Sequence, residues 1–200
     1  MAIMSRSQHG KWMTIVDGKQ RIFRKKGDQY DVLEFELYSY TPDQIDKVSK
    51  LIRLNLTDDL ISKDIKEKYP DGHNRWKHLF FGQCVTATFV LLYLMDTGNL
   101  EPIRGEDASG EGHWWLRDEL TKDKYDLTLD QFTTYEEVEE VYETGKPRGY
   151  YGYDEMPSSQ FFDLIQKVQP DSKRWVDADY SETPNSLDEF LIGRPHESLF

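Results

Sequence analysis

The 200-residue chain predicts an α+β domain in which one buried helix, carrying the lone cysteine, packs on a small antiparallel sheet. Three observations lead there. Val85 to Met95 is almost wholly apolar or small, the pattern of a helix covered on most sides rather than along one stripe. Gly112-His113-Trp114-Trp115-Leu116 and Lys124-Tyr125-Asp126-Leu127-Thr128 read as adjacent strands joined by the charged turn 117–123. Asp17-Gly18, between two further extended runs, marks an N-terminal hairpin.

In chain order, Lys11 to Val16 and Gln20 to Arg24 form that hairpin, and Tyr30 to Tyr40 is a further strand rich in aromatic and β-branched residues. Thr41-Pro42-Asp43-Gln44 is a helix start, with Thr41 as N-cap, Pro42 at the first helical position and Gln44 at the capping-box position. Ile45, Val48, Ile52 and Leu54 supply its apolar stripe. A second helix is expected from Thr57 to about Tyr69, stopped by Pro70-Asp71-Gly72. A linker over 72–81 then leads into the central helix. Leu100 to Ile103 is a short strand and 104–112 a polar loop. Thr134 to Tyr142 is an acidic helix, Gly145 to Tyr153 a glycine- and tyrosine-rich loop, and Ser158 to Val168 the last amphipathic helix. From Pro170 onward an acidic, proline-interrupted tail is expected. This divides the chain into an N-terminal strand extension (1–40), a core (41–170) and an acidic tail (171–200).

Charge and cysteine count narrow the function classes. Lys and Arg total 25 against 37 Asp and Glu, a net charge of −12, which disfavours nucleic acid and anionic membrane as partners. The one basic cluster, with Arg21, Arg24, Lys25 and Lys26, reads as a solvated hairpin face. A single cysteine excludes an internal disulfide and suits a reducing compartment. No signal-peptide-like apolar core and no apolar run of transmembrane length is visible, so a cytoplasmic location is expected.

The chemistry-bearing residues come in the order Cys84, His113, Asp126. A cysteine in the first turn of a helix sits at the positive end of the dipole, among amides without intrahelical partners, where a thiolate is favoured. An imidazole can take and return its proton, and a carboxylate can fix the imidazole tautomer. If His113 and Asp126 share one face of neighbouring strands, they meet at cross-strand distance. Gln83, or backbone amides at the helix start, can serve as oxyanion donors. Trp114 and Tyr151 are candidate substrate-binding residues, the latter within Tyr150-Tyr151-Gly152-Tyr153 beside Arg148. The inert alternatives are a packed thiol at Cys84, a core histidine at His113 and a turn-capping Asp126.

The run Gly82-Gln83-Cys84, then Gly112-His113-Trp114-Trp115, then Asp126-Leu127-Thr128-Leu129-Asp130-Gln131-Phe132 resembles the YunG-like family, across about residues 75 to 170. The same order is similar to the wider transglutaminase-like and papain-like cysteine superfamily. The resemblance implies a papain-like or transglutaminase-like core, with Cys84 as nucleophile, His113 as base and Asp126 as orienting acid. The N-terminal strands and the acidic tail depart from the family's shorter form.

A zinc reading would draw on His73, His78, Cys84 and His113. Their spacing lacks the short paired form of a zinc motif and no Cys-x-x-Cys accompanies them, so no metal and no cofactor is expected. The expected activity is cysteine-dependent acyl transfer on a protein or small amide, as hydrolase, deamidase or transglutaminase. The rival is a non-catalytic acidic binding or inhibitor protein that engages a basic partner.

Overall fold

The structure, a computed structural model, describes residues 13–16, 19–26, 28–148 and 158–177. Its class is α+β, as the sequence predicts. β1 (Met13–Val16), β2 (Lys19–Lys26) and β3 (Gln29–Phe35) form an antiparallel meander, in register Val16↔Lys19 and Ile22↔Leu33. The expected Asp17-Gly18 turn lies outside the described residues. Ile22, Leu33 and Phe35 of this sheet join the main core, while Arg21 pairs with Glu34 and Arg24 with Asp31 across the strands, each at 2.7–2.8 Å. Two arginines of the basic cluster are therefore neutralised within the sheet.

A short β4 (Tyr38–Ser39) precedes α1 (Pro42–Leu54), whose Thr41 hydroxyl accepts the Gln44 amide at 3.3 Å. The capping box is only half made, because Gln44 Oε1 is buried without a partner. The single helix expected over 57–69 is instead two pieces. A 3-10 turn (Asp58–Leu60) ends at extended Ile61, and α2 (Lys63–Lys68) starts anew from Ser62, which caps the Ile65 amide. Leu60 and Ile61 are both buried anchors, and Ser62 offers a competing cap. A further 3-10 turn (Asn74–Lys77) leads to α3 (Cys84–Leu94), in which every residue but Val85 is buried.

β5 (Met95–Asp96) pairs in parallel with β4. β6 (Leu100–Glu106) is longer than expected, because it pairs with β7 (Gly112–Asp118) along its whole length, from Leu100↔Asp118 to Glu106↔Gly112. β8 (Lys124–Tyr125) is shorter than expected and ends before Asp126. After a 3-10 turn (Leu129–Gln131) come α4 (Tyr135–Thr144), with a complete Thr134–Glu137 capping box, and β9 (Lys146–Pro147), which closes a sheet in the order β8-β7-β6-β9. α5 (Ser159–Val168) follows.

The start of the expected tail is a strand. β10 (Lys173–Asp177) adds to the N-terminal sheet beside β3, with Trp175 opposite Val32. Arg174 fastens it, donating to both oxygens of Asp31 at 2.7–2.8 Å and to Asp163 of α5 at 2.8 Å. Burial works to raise the Asp31 pKa, yet the Arg174 and Arg24 guanidiniums hold that carboxyl below its ordinary value.

α3 is the axis of the core, packed against α1, α5 and β7. Phe89 meets Trp114 of β7 at 5.4 Å, Tyr93 at 6.3 Å and Phe161 of α5 at 6.2 Å between ring centres. A fully buried phenylalanine of this kind contributes about 2–3 kcal/mol of transfer free energy. The Thr88 hydroxyl donates to the Trp114 carbonyl at 3.0 Å, so the helix is tied to β7 as well as packed on it. That seam brings the first turn of α3 beside His113.

Candidate active site

Cys84 is the first residue of α3, and the chain enters the helix through a tight bend with Phe80 at φ 62° and Gly82 at φ 76°. A Cβ on Gly82 would stand 2.8 Å from Ile65 Cγ2 of α2, so glycine alone satisfies both the left-handed backbone and the close approach. The first helical hydrogen bond runs from the Ala87 amide to Gln83 O at 3.0 Å. The amides of Cys84, Val85 and Thr86 thus face the helix start without intrahelical acceptors. Cys84 is a buried free thiol, and with Val85, Thr86, His113 and Gln131 it lines one cleft of about 970 Å³.

Strand alternation divides His113 from Trp114. The Trp114 ring turns into the core against Phe89, whereas His113 and Trp115 fall on the opposite face with their rings stacked at 5.9 Å. Phe132 meets the His113 ring edge-on at 4.8 Å. Both ring nitrogens of His113 are engaged. Nε2 pairs with Asp126 Oδ2 at 2.6 Å, and Nδ1 faces the Gln131 carboxamide in direct hydrogen-bond contact. The Cys84 thiol lines the same cleft and helps to raise the pKa of the ring.

Asp126 reaches His113 from a bend rather than from the strand on which it was expected. Its Oδ1 accepts the Thr128 amide at 3.1 Å, a local turn that draws the chain off β8 and into the 3-10 turn. Its Oδ2 takes a second donor, the Tyr142 hydroxyl of α4, at 3.1 Å. The carboxylate is therefore held from three directions, and its side chain is 3% exposed beside a histidine side chain at 4%. Burial works to lower the His113 pKa, but the hydrogen bond to Asp126, then the Cys84 thiol, overcome it and raise the ring from 6.5 to about 9. Burial and then the Asp126 charge push the Tyr142 phenol upward in turn.

Of the residues singled out in sequence, Cys84, His113 and Asp126 meet in one place. Gln83 is buried at the helix start with its Oε1 unpartnered, and its side chain makes no cap. Tyr151 lies outside the described residues. His73 accepts the Arg75 amide at 3.3 Å in its own turn. Among the described residues no three His, Cys, Asp or Glu side chains are grouped to hold a metal ion, and no helix is long and apolar enough to cross a membrane.

Gln131, Phe132 and Tyr142 also touch the site, with no role assigned to them from sequence. The signal for the first two lay in the run Asp126-Leu127-Thr128-Leu129-Asp130-Gln131-Phe132. A 3-10 turn folds it so that its aspartate, glutamine and phenylalanine converge on one imidazole. Nothing in the spacing of Tyr142 marks it, because α4 is brought back by packing on β6. Compared with family models, curated proteins and solved structures, the chain gives no match.

Proposed function

We propose that the protein is a cysteine-dependent acyl-transfer enzyme acting on an amide or isopeptide bond of a protein or small molecule. The observation that carries this reading is the buried His113–Asp126 pair, at 2.6 Å, in the same cleft as the helix start that bears Cys84. Asp126 fixes the tautomer and favours the imidazolium, so the thiol proton can pass to the ring. Sγ attacks the carbonyl carbon and the oxygen takes the displaced electron pair. The amides of Cys84, Val85 and Thr86 are the donors nearest to hand for that oxyanion. Collapse expels the amine, which takes the proton from the imidazolium and leaves a thioester on Cys84. Water or a second amine then attacks the thioester, giving hydrolysis or transfer. No cofactor enters these steps.

The YunG-like run of residues supports the same assignment, since its most specific segment is the one wrapped around His113. A free thiol nucleophile suits a reducing compartment, and we take the cytoplasm as its place. The test is intact-protein mass spectrometry after incubation with a panel of activated amides and thioesters. A mass increase on Cys84 that is absent in Cys84→Ala supports the reading. A Cys84→Ala protein that still turns over a substrate excludes it, and a wild-type protein that never acylates favours the acidic binding protein instead.

A further inference from the structure

We propose that Arg104 sets substrate choice in this cleft, its guanidinium receiving a carboxylate that the substrate carries within a few bonds of the scissile amide. The inference rests on Cys84 being the nucleophile, and so deepens the functional reading above by naming the substrate class.

The placement follows from strand alternation. Arg104 of β6 is the ladder partner of Trp114 of β7 and of Lys146 of β9, so all three share one face of the sheet. That is the face on which α3 packs, since the Trp114 ring meets Phe89 and the Trp114 carbonyl accepts from the Thr88 hydroxyl. Cys84 stands one turn before Thr88, on the same side of the helix. α4 lies against the opposite face, where the Val141 carbonyl closes on Gly105. From β6 the Arg104 side chain reaches along the strands to Gly112, the residue before His113. A Cβ at Gly112 would stand 2.7 Å from Arg104 Nη2 and 2.8 Å from Nε, so the guanidinium takes the room a side chain there would need. Arg104, Gly112, His113 and Cys84 all line the one cleft.

The donors that remain on Arg104 set the ligand. Glu106 takes Nη1 alone, and the edge formed by Nε and Nη2 bonds to no described residue. Two parallel N–H donors of this kind match the two oxygens of a carboxylate. The Arg104 side chain is 26% exposed against 52% for Glu106, so the cation is more sheltered than its counter-ion and gains from a second one. Lys146, exposed on the same face, has no ion-pair partner among the described residues and adds to the positive field. The other basic side chains of the cleft are already held, Lys68 by Glu111 at 2.6 Å and Arg75 by Asp107 at 2.9 Å. Of the acids, Glu137 is taken up by the Thr133 and Thr134 amides, and Glu140 lines the cleft from α4, across the sheet from Arg104.

The experiment compares acylation of Cys84 in the full chain by two thioesters of N-acetylcysteamine, the glutaryl thioester and its methyl ester, followed by intact-protein mass spectrometry. The pair differs only in the free carboxylate. Charge-assisted hydrogen bonds to a sheltered guanidinium should favour the glutaryl probe by about 10- to 100-fold in the wild type. That ratio should fall to about one in Arg104→Met. It should also fall in Gly112→Ala, whose Cβ displaces the guanidinium without removing its charge, and this variant decides if Arg104→Met does not fold. Equal rates for the two probes in the wild type, or a preference that survives in Arg104→Met, overturn the proposal. Where neither probe acylates Cys84, glutarate is titrated against the Arg104 Nε–H NMR resonance in Cys84→Ala, with sodium chloride at equal ionic strength as control. A saturable shift keeps the carboxylate site and discards the nucleophile. A shift no larger than that with chloride overturns the proposal, so the two readings fail separately.

Discussion

The Tyr142 hydroxyl and His113 Nε2 share one oxygen of Asp126, at 3.1 and 2.6 Å. Tyr142 therefore draws part of the carboxylate's basicity away from the imidazole. Tyr142→Phe should cost about 1 kcal/mol of stability. It should also raise the His113 titration by a few tenths of a unit, because Asp126 then serves the ring alone. A downward shift in the NMR titration would contradict this.

The His113 shift makes stability depend on pH with a definite sign. The folded-state value of about 9 lies above the unfolded 6.5. The proton is thus bound more tightly by the native state, and its contribution is fully present below about pH 6.5. It is lost as pH rises towards 9, to the extent of about 3 kcal/mol for a buried group. Urea denaturation at pH 6 and pH 9 should show that decline. In Asp126→Asn, where burial acts without the carboxylate, the decline should vanish and the His113 titration should fall below 6.5.

Trp115 sets the floor beneath His113, and two glycines make room for it. A Cβ at Gly145 would lie 2.6 Å from Trp115 Cζ2, and one at Gly105 would run into the Val141 carbonyl and approach the same indole. Gly105→Ala should cost about 1–3 kcal/mol by overpacking. It should also perturb the His113 ring resonances, through the stacked tryptophan. Gly110→Ala, which meets no neighbour but sits at φ 81°, should cost about 1 kcal/mol of backbone strain and leave those resonances in place.

β10 makes the C-terminal segment part of the fold. Truncation after Pro170 removes the strand beside β3 and leaves Asp31 without Arg174. It should destabilise the protein by several-fold more than Arg174→Met, for which about 1–3 kcal/mol is expected once the partial exposure of Arg174 is discounted. Chemical denaturation of the two variants checks the order.

The sequence made the centre of the fold legible because its signals there were local. An apolar run with no polar face can only be a covered helix, which α3 is, and Thr41-Pro42 marks a helix start whatever surrounds it. β10 was not legible. Lys173-Arg174-Trp175-Val176 lies in acidic, proline-containing surroundings, and its arginine finds its partners, Asp31 of β3 and Asp163 of α5, only once the chain has folded. Asp126 was recognised as a partner for His113, but its placement on a strand was not correct. Its own carboxylate bends the chain away through Thr128, a side-chain effect that strand patterning does not record. Tyr142 was invisible because its reach depends on how α4 docks.

The most direct measurement is the pH dependence of iodoacetamide labelling at Cys84 in the folded protein, with His113→Ala as control. An unactivated thiol has a pKa of about 8.5 and loses rate tenfold per pH unit below it. The account predicts labelling that stays within about twofold from pH 8 to pH 6, the range in which His113 remains protonated, and a return to the ordinary tenfold decline in His113→Ala. Labelling that appears only on unfolding, or that declines tenfold per unit in the wild type as well, would contradict it and leave Cys84 as a packing residue.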